Sequence, residues 1–245
     1  MRIITACMAR NEADRFWRSA LSAWRTYSDW LVLVDDGSTD QTVSMADDVF
    51  GQDMDLLCYT GGSRPAWGAE WEKRAALFDL AVAAAHPEDI ILFMDADMTP
   101  AKSPREVFEK SSADQFAFQL YDLWSADQYR SDGLWRAHDF HRTWAIRAPQ
   151  ATPRDGWLWN QRGVHCGHLP HNLTAPRVLF VPRDGALLHY GYSTPQDRAA
   201  AADRYGGVAE QLESAEQRHA GTILDQRPHL LRLPFTPELQ LTRET

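Results

Sequence analysis

Two short runs of apolar residues, each ending in acidic side chains, constrain the fold of this chain most strongly. The runs and the carboxylates that follow them are residues 31–34 with Asp35 and Asp36, and residues 90–94 with Asp95 and Asp97. Runs without any polar residue predict strands buried on both faces, as in a parallel sheet. A carboxylate is costly inside a core, but at the carboxyl end of a parallel strand it faces a ligand crevice. Such oxygen ligands suit a hard divalent cation that carries phosphates.

The first half of the chain alternates strands and helices. Strands are predicted at residues 2–7, 31–34, 54–59 and 90–94, and helices over 11–27, after the 35–40 turn, over 68–86 and over about 103–110. Phe16, Ala20, Trp24 and Tyr27 form one apolar stripe of the first helix. This alternation predicts an α/β fold with a parallel sheet and helices on both of its faces.

The second half differs in composition and has many aromatic residues and turn-forming residues. Shorter strands are predicted at residues 115–121, 178–181 and 186–190. Thr194 and Pro195 begin a helix that breaks around residues 206–207 and resumes to about residue 220. We expect an irregular, β-rich portion that completes a site over the parallel sheet.

Composition excludes several classes of protein. The chain has 245 residues and a net charge of −9, from 34 acidic and 25 basic residues, which disfavours a broad nucleic-acid surface. Its cysteines, Cys7, Cys58 and Cys166, are odd in number and predict no disulfide framework, and Cys7 and Cys58 are expected to be buried thiols. No secretory signal or membrane span is apparent, so a cytoplasmic protein is expected.

Four motifs together resemble the inverting family 2 glycosyltransferases with the GT-A fold. They are TACMARNE at 5–12, VDDGSTD at 34–40, DAD at 95–97 and HYGY at 189–192, the last followed by a helix bearing Arg198 and Tyr205. The resemblance implies a Rossmann-like mixed sheet flanked by helices, in a single domain over residues 1–225. Within it, residues 1–110 would bind the nucleotide-sugar, 111–192 would form the acceptor side, and 193–225 would be carboxy-terminal helices. Residues 226–245 would form a docking tail.

The same resemblance implies a nucleotide site. Asp36 would accept a hydrogen bond from the base, with Asp35 nearby; alternatively, Asp36 only shapes the turn. Further residues that would contact the nucleotide or its diphosphate are Ala6, Met8, Glu12, Arg74, Asp95, Ala96 and Arg198. For Glu12, Arg74 and Arg198, an ordinary position on a helix surface is the alternative.

A metal site is implied beside the diphosphate. Asp97 would ligate Mn²⁺ or Mg²⁺ and support catalysis, Asp95 would contact the metal, its water or the ribose, and His189 would be a further ligand. A histidine satisfied within the core is the alternative for His189. The general base is the least defined group, because the acceptor segment at 163–171 lacks the acidic residue of the family. His165 is the first candidate, and Asp139 and Asp155 are alternatives. A zinc site in this segment is disfavoured by its spacing.

The function implied is metal-dependent transfer of a sugar, with inversion, from a nucleoside diphosphate sugar to the hydroxyl of a glycan or other acceptor. A UDP-sugar is the expected donor. Transfer to a nucleic-acid base or a protein side chain, a non-catalytic sugar-nucleotide-binding module, and a sugar nucleotidyltransferase are the alternatives. The last normally has a glycine-rich loop after its first strand, which residues 6–11 lack. The sequence predicts neither the sugar, nor the acceptor, nor the oligomeric state.

Overall fold

A computed structural model describes residues 1–59, 70–149, 156–161, 166–207 and 209–244. Its strands are β1 (Ile3–Ala9), β2 (Trp30–Asp35), β3 (Met54–Cys58), β4 (Ile90–Asp95), β5 (Met98–Pro100), β6 (Gln115–Phe118), β7 (Leu120–Asp122), β8 (Gln128–Arg130), β9 (Arg142–Arg147), β10 (Val178–Phe180), β11 (Leu187–His189) and β12 (Leu230–Arg232). Its helices are α1 (Trp17–Arg25), α2 (Thr42–Phe50), α3 (Glu70–Ala84), α4 (Arg105–Lys110), α5 (Pro195–Gly207) and α6 (Ser214–Gly221).

The main sheet of these described residues has seven strands in the order β10-β6-β9-β4-β1-β2-β3. Strand β1 runs parallel to β2 and β4, and β2 runs parallel to β3. Strand β9 is antiparallel to both β4 and β6, and β10 is parallel to β6. The predicted α/β fold class, a mixed and mostly parallel sheet with flanking helices, is confirmed.

The apolar runs are buried as predicted. Residues 31–34 are wholly buried, as are residues 90–94 apart from 1% exposure at Phe93. The stripe predicted on the first helix is buried too, but α1 begins at Trp17 instead of near Asn11. The reason is local, because Asn11 adopts a φ of 52° that an α-helix cannot contain. Its backbone N–H donates to Ser38 Oγ at 2.9 Å and its Oδ1 accepts from Thr39 N–H at 2.8 Å, which fastens this loop to the 35–40 turn.

A second, three-stranded sheet of the order β5-β11-β7 lies beyond the end of β4. The strand predicted at 115–121 is in fact two strands, since the chain leaves the main sheet at Gln119 and joins this smaller sheet as β7. In its register His189 is paired with Met98 on one side and with Asp122 on the other. The small sheet therefore places three residues in one row: Met98, which follows Asp97, and then His189 and Asp122.

Strand β3 corrects one expectation. Cys7 is buried in β1, but Cys58 is exposed, because β3 is the last strand of the sheet on its side. Cys166 is buried.

The predicted tail lies against the body of the protein. Strand β12 pairs with β8, Leu239 N–H donates to Ala101 O at 3.0 Å, and Glu244 N–H donates to Arg15 O at 2.7 Å. No helix in the described ranges is long and apolar enough to cross a membrane.

Candidate active site

The carboxyl ends of β1, β2 and β4 open into a crevice of about 1630 Å³. Its acidic lining residues are Glu12, Asp36, Glu70, Asp95, Asp97, Asp122, Asp203 and Glu216. Its basic lining residues are Arg10, Arg15, Arg74, Arg136, Arg142 and Arg204, with His168, His189 and His219. The crevice lies where an open parallel sheet is expected to bind its ligand.

At one end of the crevice, Asp97 and His189 face each other. His189 Nε2 lies 3.5 Å from Asp97 Oδ1, and His189 Nδ1 lies 2.8 Å from Asp122 Oδ1. Burial alone would lower the pKa of His189, but Asp97 and Asp122 raise it to about 9. A carboxylate at Nδ1 fixes the imidazole orientation and directs Nε2 towards Asp97.

Gly191 leaves room for this pair. A Cβ atom at position 191 would lie 2.6 Å from His189 Nε2 and 2.9 Å from Asp97 Oδ2, closer than real Cβ atoms approach other groups. A larger residue at this position of the HYGY motif would therefore force His189 or Asp97 to move.

Asp95 is held by an arginine from α3. Arg74 Nη2 donates to Asp95 Oδ1 at 2.8 Å, while the same guanidinium contacts Glu70 Oε1 at 3.1 Å and His168 Nδ1 at 2.9 Å. Burial opposes ionisation of Asp95, yet Arg74 holds its pKa well below the usual value. Burial and the same arginine lower the pKa of His168 to about 3, so this histidine is neutral.

Asp97 has its own arginine. Arg15 Nη2 donates to Asp97 Oδ2 at 2.9 Å and Nη1 donates to Glu12 Oε2 at 2.7 Å. Burial raises the pKa of Glu12 to about 7 despite this ion pair. Each arginine thus engages one oxygen of its aspartate, and Asp97 Oδ1 remains directed at His189.

Asp36, another lining residue of the crevice, is 1% exposed and forms an ion pair with the buried Lys73 through Oδ1. Arg10 Nη1 lies 3.7 Å from Asp36 Oδ2 and donates to the Asp36 carbonyl oxygen at 3.0 Å. The neighbouring Asp35 accepts from Ser38 N–H at 3.1 Å, so it shapes the turn. Gly37, at a φ of 77°, brings this turn against the carbonyl of Tyr59.

The remaining predicted residues separate into two groups. Met8 and Ala96 line the crevice, but Ala6 is buried in β1 and is not part of its lining. Arg198 does not line it either, and its Nη1 donates to the carbonyls of Tyr192 at 2.6 Å and Trp124 at 3.2 Å.

Of the candidate bases, Asp139 accepts a hydrogen bond from Arg136 Nε at 2.6 Å and does not line the crevice. His165 and Asp155 lie outside the described residues.

Three residues of the site were not predicted: Arg15, Lys73 and Asp122. Lys73 and Arg74 are neighbours in α3, and both are buried. The amphipathic pattern of this helix gave no sign that Lys73 would be buried as well as Arg74. Arg15 lies in the loop before α1, which was predicted to be helical. Asp122 is the last residue of β7, which was predicted to form a single strand with β6. An acidic residue at a strand end was the available signal for Asp122.

The donor groups predicted for a divalent cation are Asp95, Asp97 and His189. Among the described residues, no group of three or more His, Cys, Asp or Glu side chains is arranged to hold a metal ion. The predicted set of Asp95, Asp97 and His189 is thus not assembled by itself, since Arg74 engages Asp95. Asp97 Oδ1 and His189 Nε2 nevertheless converge, and a site of this kind commonly takes its other ligands from water and substrate phosphates. These residues therefore fit a cation that binds together with a diphosphate.

Solved structures similar to the chain include two of glucosyl-3-phosphoglycerate synthase from Mycobacterium tuberculosis. The complex with phosphoglyceric acid is 18% identical over 49% of this chain and 44% of that chain, with a TM-score of 0.33. The complex with Mn²⁺, uridine diphosphate and glucosyl-3-phosphoglycerate is 13% identical over 96% of this chain and 88% of that chain, with a TM-score of 0.45.

A mannosyltransferase from Pyrobaculum calidifontis, in complex with GDP-Man and Mn²⁺, is 13% identical over 91% of this chain and 69% of that chain, with a TM-score of 0.45. In the alignments with a mycobacterial protein and with the phosphoglyceric acid complex, the chain spans only 41% and 44% of the length of the solved chain. No curated protein matches the sequence.

The family model described as Glycosyl transferase family 2 matches residues 3–108. This segment contains β1 to β4 and both aspartate pairs of the crevice. The motifs at 5–12, 34–40 and 95–97, on which the resemblance to this family rests, all lie within the match.

Proposed function

We propose that this protein is a metal-dependent glycosyltransferase that transfers a sugar from a nucleoside diphosphate sugar to an acceptor hydroxyl, with inversion at the anomeric carbon. The observation that carries the proposal is the convergence of Asp97 Oδ1 and His189 Nε2, 3.5 Å apart, at the strand ends of the segment that matches the family 2 model. Asp36, which lines the same crevice, would supply a carboxylate for the base. The diphosphate would then lie between Asp36 and the pair of Asp97 and His189.

Asp97 and His189, with Asp95 beside them, would hold Mn²⁺ or Mg²⁺. When bound, the cation supplies positive charge that offsets the negative charge developing on the departing diphosphate. Asp122 keeps His189 oriented through Nδ1, and Arg15 keeps Asp97 oriented through Oδ2. These contacts hold the ligand atoms in place before the donor binds, which reduces the reorganisation required during the reaction.

In the transfer, the acceptor oxygen attacks the anomeric carbon from the side opposite the diphosphate, and the bond from that carbon to the diphosphate oxygen breaks. A general base takes the hydroxyl proton. We assign this role to His165, because the residues that follow it, Gly167 and His168, line the crevice. Asp139 is the weaker candidate because Arg136 already engages its carboxylate at 2.6 Å.

The first test is a thermal-shift screen of nucleoside diphosphate sugars, each with and without Mn²⁺, followed by assay of slow donor hydrolysis. At least one donor is expected to raise the melting temperature, and to do so more strongly with Mn²⁺ than without it. A panel in which no sugar nucleotide stabilises the protein under either condition would contradict the proposal.

Two variants make the screen specific. Asp97→Asn is expected to remove the Mn²⁺-dependent part of the shift. Asp114→Asn, which removes a carboxylate paired with Arg177 outside the crevice lining, is the matched control and should retain that part. Equal responses of the two variants would show that Asp97 is not part of the metal site.

A further inference from the structure

A residue of the 226–245 tail, Arg243, is connected to Asp97 by a row of side chains that alternate in charge. Arg243 Nη1 donates to Asp197 Oδ1 at 2.6 Å. The same Asp197 oxygen lies 3.6 Å from Arg15 Nε, and Arg15 Nη2 donates to Asp97 Oδ2 at 2.9 Å. Arg243 does not line the crevice, so an effect on the candidate metal site has to pass through Asp197 and Arg15.

Asp197 is a buried carboxylate in the first turn of α5, with 1% exposure. Thr194 Oγ1 donates to its Oδ2 at 2.5 Å, which leaves Oδ1 for a cation. Arg243 reaches this oxygen from the surface, with 34% of its side chain exposed. Because a carboxylate is costly inside a protein unless it is paired and hydrogen-bonded, the contact with Arg243 offsets part of the cost of burying Asp197.

Arg15 has one donor without a hydrogen bond. Its Nη1 and Nη2 donate to Glu12 and Asp97, but its Nε is buried and has no hydrogen-bond partner among the described residues. The 3.6 Å between Nε and Asp197 Oδ1 is too long for a hydrogen bond. Burial opposes the charge of this guanidinium, but the carboxylates of Asp97, Glu12 and Asp197 raise its pKa above the usual value. Arg15 is therefore attracted to Asp197 without being hydrogen-bonded to it.

The two arginines thus share one oxygen of Asp197, and Arg243 makes the shorter contact. A guanidinium is planar and rigid, so its Nε cannot approach an acceptor while Nη1 and Nη2 keep their positions. Without Arg243, Asp197 Oδ1 would be a buried acceptor beside the buried Nε of Arg15, and a hydrogen bond between them would relieve both. Arg15 would then be drawn from Asp97 towards Asp197.

The backbone of the tail holds Arg243 close to this row. Thr242 N–H donates to Ser19 Oγ at 3.0 Å, and Glu244 N–H donates to Arg15 O at 2.7 Å. The residues on both sides of Arg243 are therefore bound to the segment that carries the Arg15 side chain. This anchoring places the Arg243 guanidinium beside Asp197.

We infer that Arg243 is a positioning residue of the metal site, because it engages Asp197 Oδ1 and thereby leaves Arg15 bound to Asp97. The inference rests on the proposed function and adds a residue of the tail to it. Asp97 Oδ1 is directed at His189 while Arg15 holds Oδ2, so movement of Arg15 would displace the carboxylate that is to bind the cation. A residue that only fastened the tail to the body would have no such effect.

The test is calorimetric titration of Mn²⁺ into the protein saturated with UDP. Arg243→Met is expected to weaken Mn²⁺ binding about tenfold, at the lower end of the effect of groups that orient metal ligands. UDP affinity without Mn²⁺ should change by less than about twofold, because Arg243 lies outside the crevice lining. Arg243→Lys keeps a cation for the single contact with Oδ1 and should restore Mn²⁺ binding. Unchanged Mn²⁺ affinity in Arg243→Met, or no restoration by Arg243→Lys, would overturn the inference.

The matched control is Arg232→Met. It removes another arginine of the tail, whose side chain is 83% exposed and lies 3.8 Å from Asp127. This variant should bind Mn²⁺ as the unmodified protein does. A loss of Mn²⁺ affinity equal to that of Arg243→Met would show that the effect is not specific to Arg243 and would overturn the inference.

A double variant separates positioning from loss of stability. Arg243→Met leaves Asp197 buried without its partner, so the free energy of unfolding should fall, as measured by urea denaturation. When Asp197→Asn is added, the neutral amide attracts Arg15 less, so the double variant should regain most of the lost Mn²⁺ affinity. Mn²⁺ binding as weak as in Arg243→Met would overturn the inference. If Arg243→Met alone does not fold, a loss of about tenfold or more in the double variant relative to the unmodified protein would overturn it.

The outcomes also separate this inference from the proposed function. If the unmodified protein binds no Mn²⁺ in the presence of any nucleoside diphosphate, the proposed function fails and the inference with it. If the unmodified protein binds Mn²⁺ and Arg243→Met binds it equally well, the inference alone is wrong.

Discussion

Asp122 and His189 are register partners in adjacent parallel strands, and Asp122 Oδ1 lies 2.8 Å from His189 Nδ1. This contact orients the imidazole so that Nε2 is directed towards Asp97. Neither residue lies on the main sheet; the small sheet of β5, β11 and β7 positions both. The candidate metal site is therefore built where the two sheets meet.

Replacement of Asp122 tests this support. Asp122→Asn should weaken Mn²⁺ binding in the presence of a nucleoside diphosphate about tenfold or more, because a histidine ligand loses the charged partner that orients it. Titration calorimetry measures the effect. Asp127→Asn, at an exposed position outside the crevice lining, should bind Mn²⁺ as the unmodified protein does. Equal affinities of the two variants would show that Asp122 does not support the site.

Gly191 gives a steric test. Gly191→Ala places a Cβ against His189 Nε2 and Asp97 Oδ2, so one of these groups must move, at a cost of about 1–3 kcal/mol in the free energy of unfolding. Loss of Mn²⁺-dependent nucleotide binding should accompany the loss of stability. Gly206→Ala, in α5 with nothing within 4 Å of the added Cβ, is the control and should retain both properties. Normal Mn²⁺ response in Gly191→Ala would contradict the proposed placement of the metal.

His165 is tested by separating binding from catalysis. His165→Asn should reduce kcat by about 10²- to 10⁴-fold, the usual contribution of a general base, while the donor dissociation constant stays within about twofold. His171→Asn, an exposed histidine in the same segment, is the control and should keep the unmodified kcat. Full activity of His165→Asn would show that another residue is the general base.

The stability of the fold also includes a pH-dependent contribution from Asp89, next to the first residue of β4. Asp89 is 3% exposed and accepts N–H bonds from the backbone of Arg2 at 2.6 Å and of His86 at 2.9 Å. Burial opposes its ionisation, but these hydrogen bonds and the Arg2 charge lower its pKa in the folded protein. Since the folded pKa lies below the unfolded value of about 3.9, Asp89 stabilises the fold above that pH and loses this contribution as the pH falls through the folded pKa.

Asp89→Asn should therefore reduce the free energy of unfolding by about 1–3 kcal/mol at pH 7, and the difference should shrink below about pH 4. Urea denaturation at several pH values measures it. Glu88→Gln, at the exposed neighbouring position, should change stability little at any pH. A difference for Asp89→Asn that grows on acidification would contradict this account.

The sequence predicted the parallel half of the sheet because its strands are buried on both faces and read as uninterrupted apolar runs, as at 31–34 and 90–94. Each run ends where a carboxylate can face the crevice, so Asp36, Asp95 and Asp97 could be located without coordinates. The position of His189 followed from the family motif. These predictions depend on local patterns of a few residues.

Local patterns of this kind do not predict which distant strands and side chains pair with each other. Strand β9 joins the sheet between β4 and β6, yet its alternation of polar and apolar residues is short and no turn marks it. The ion pairs of Arg15 with Asp97 and of Lys73 with Asp36 join residues that are 82 and 37 positions apart. No local spacing predicts which arginine or lysine reaches which carboxylate.

The central claim is that Asp97 binds a divalent cation together with the donor diphosphate. The most direct measurement is titration of Mn²⁺, followed by its electron paramagnetic resonance signal, into the protein saturated with UDP, for the unmodified chain and for Asp97→Asn. The account predicts protein-bound Mn²⁺ in the unmodified chain and a loss of affinity of at least about tenfold in Asp97→Asn. The same Mn²⁺ affinity in both proteins would contradict it.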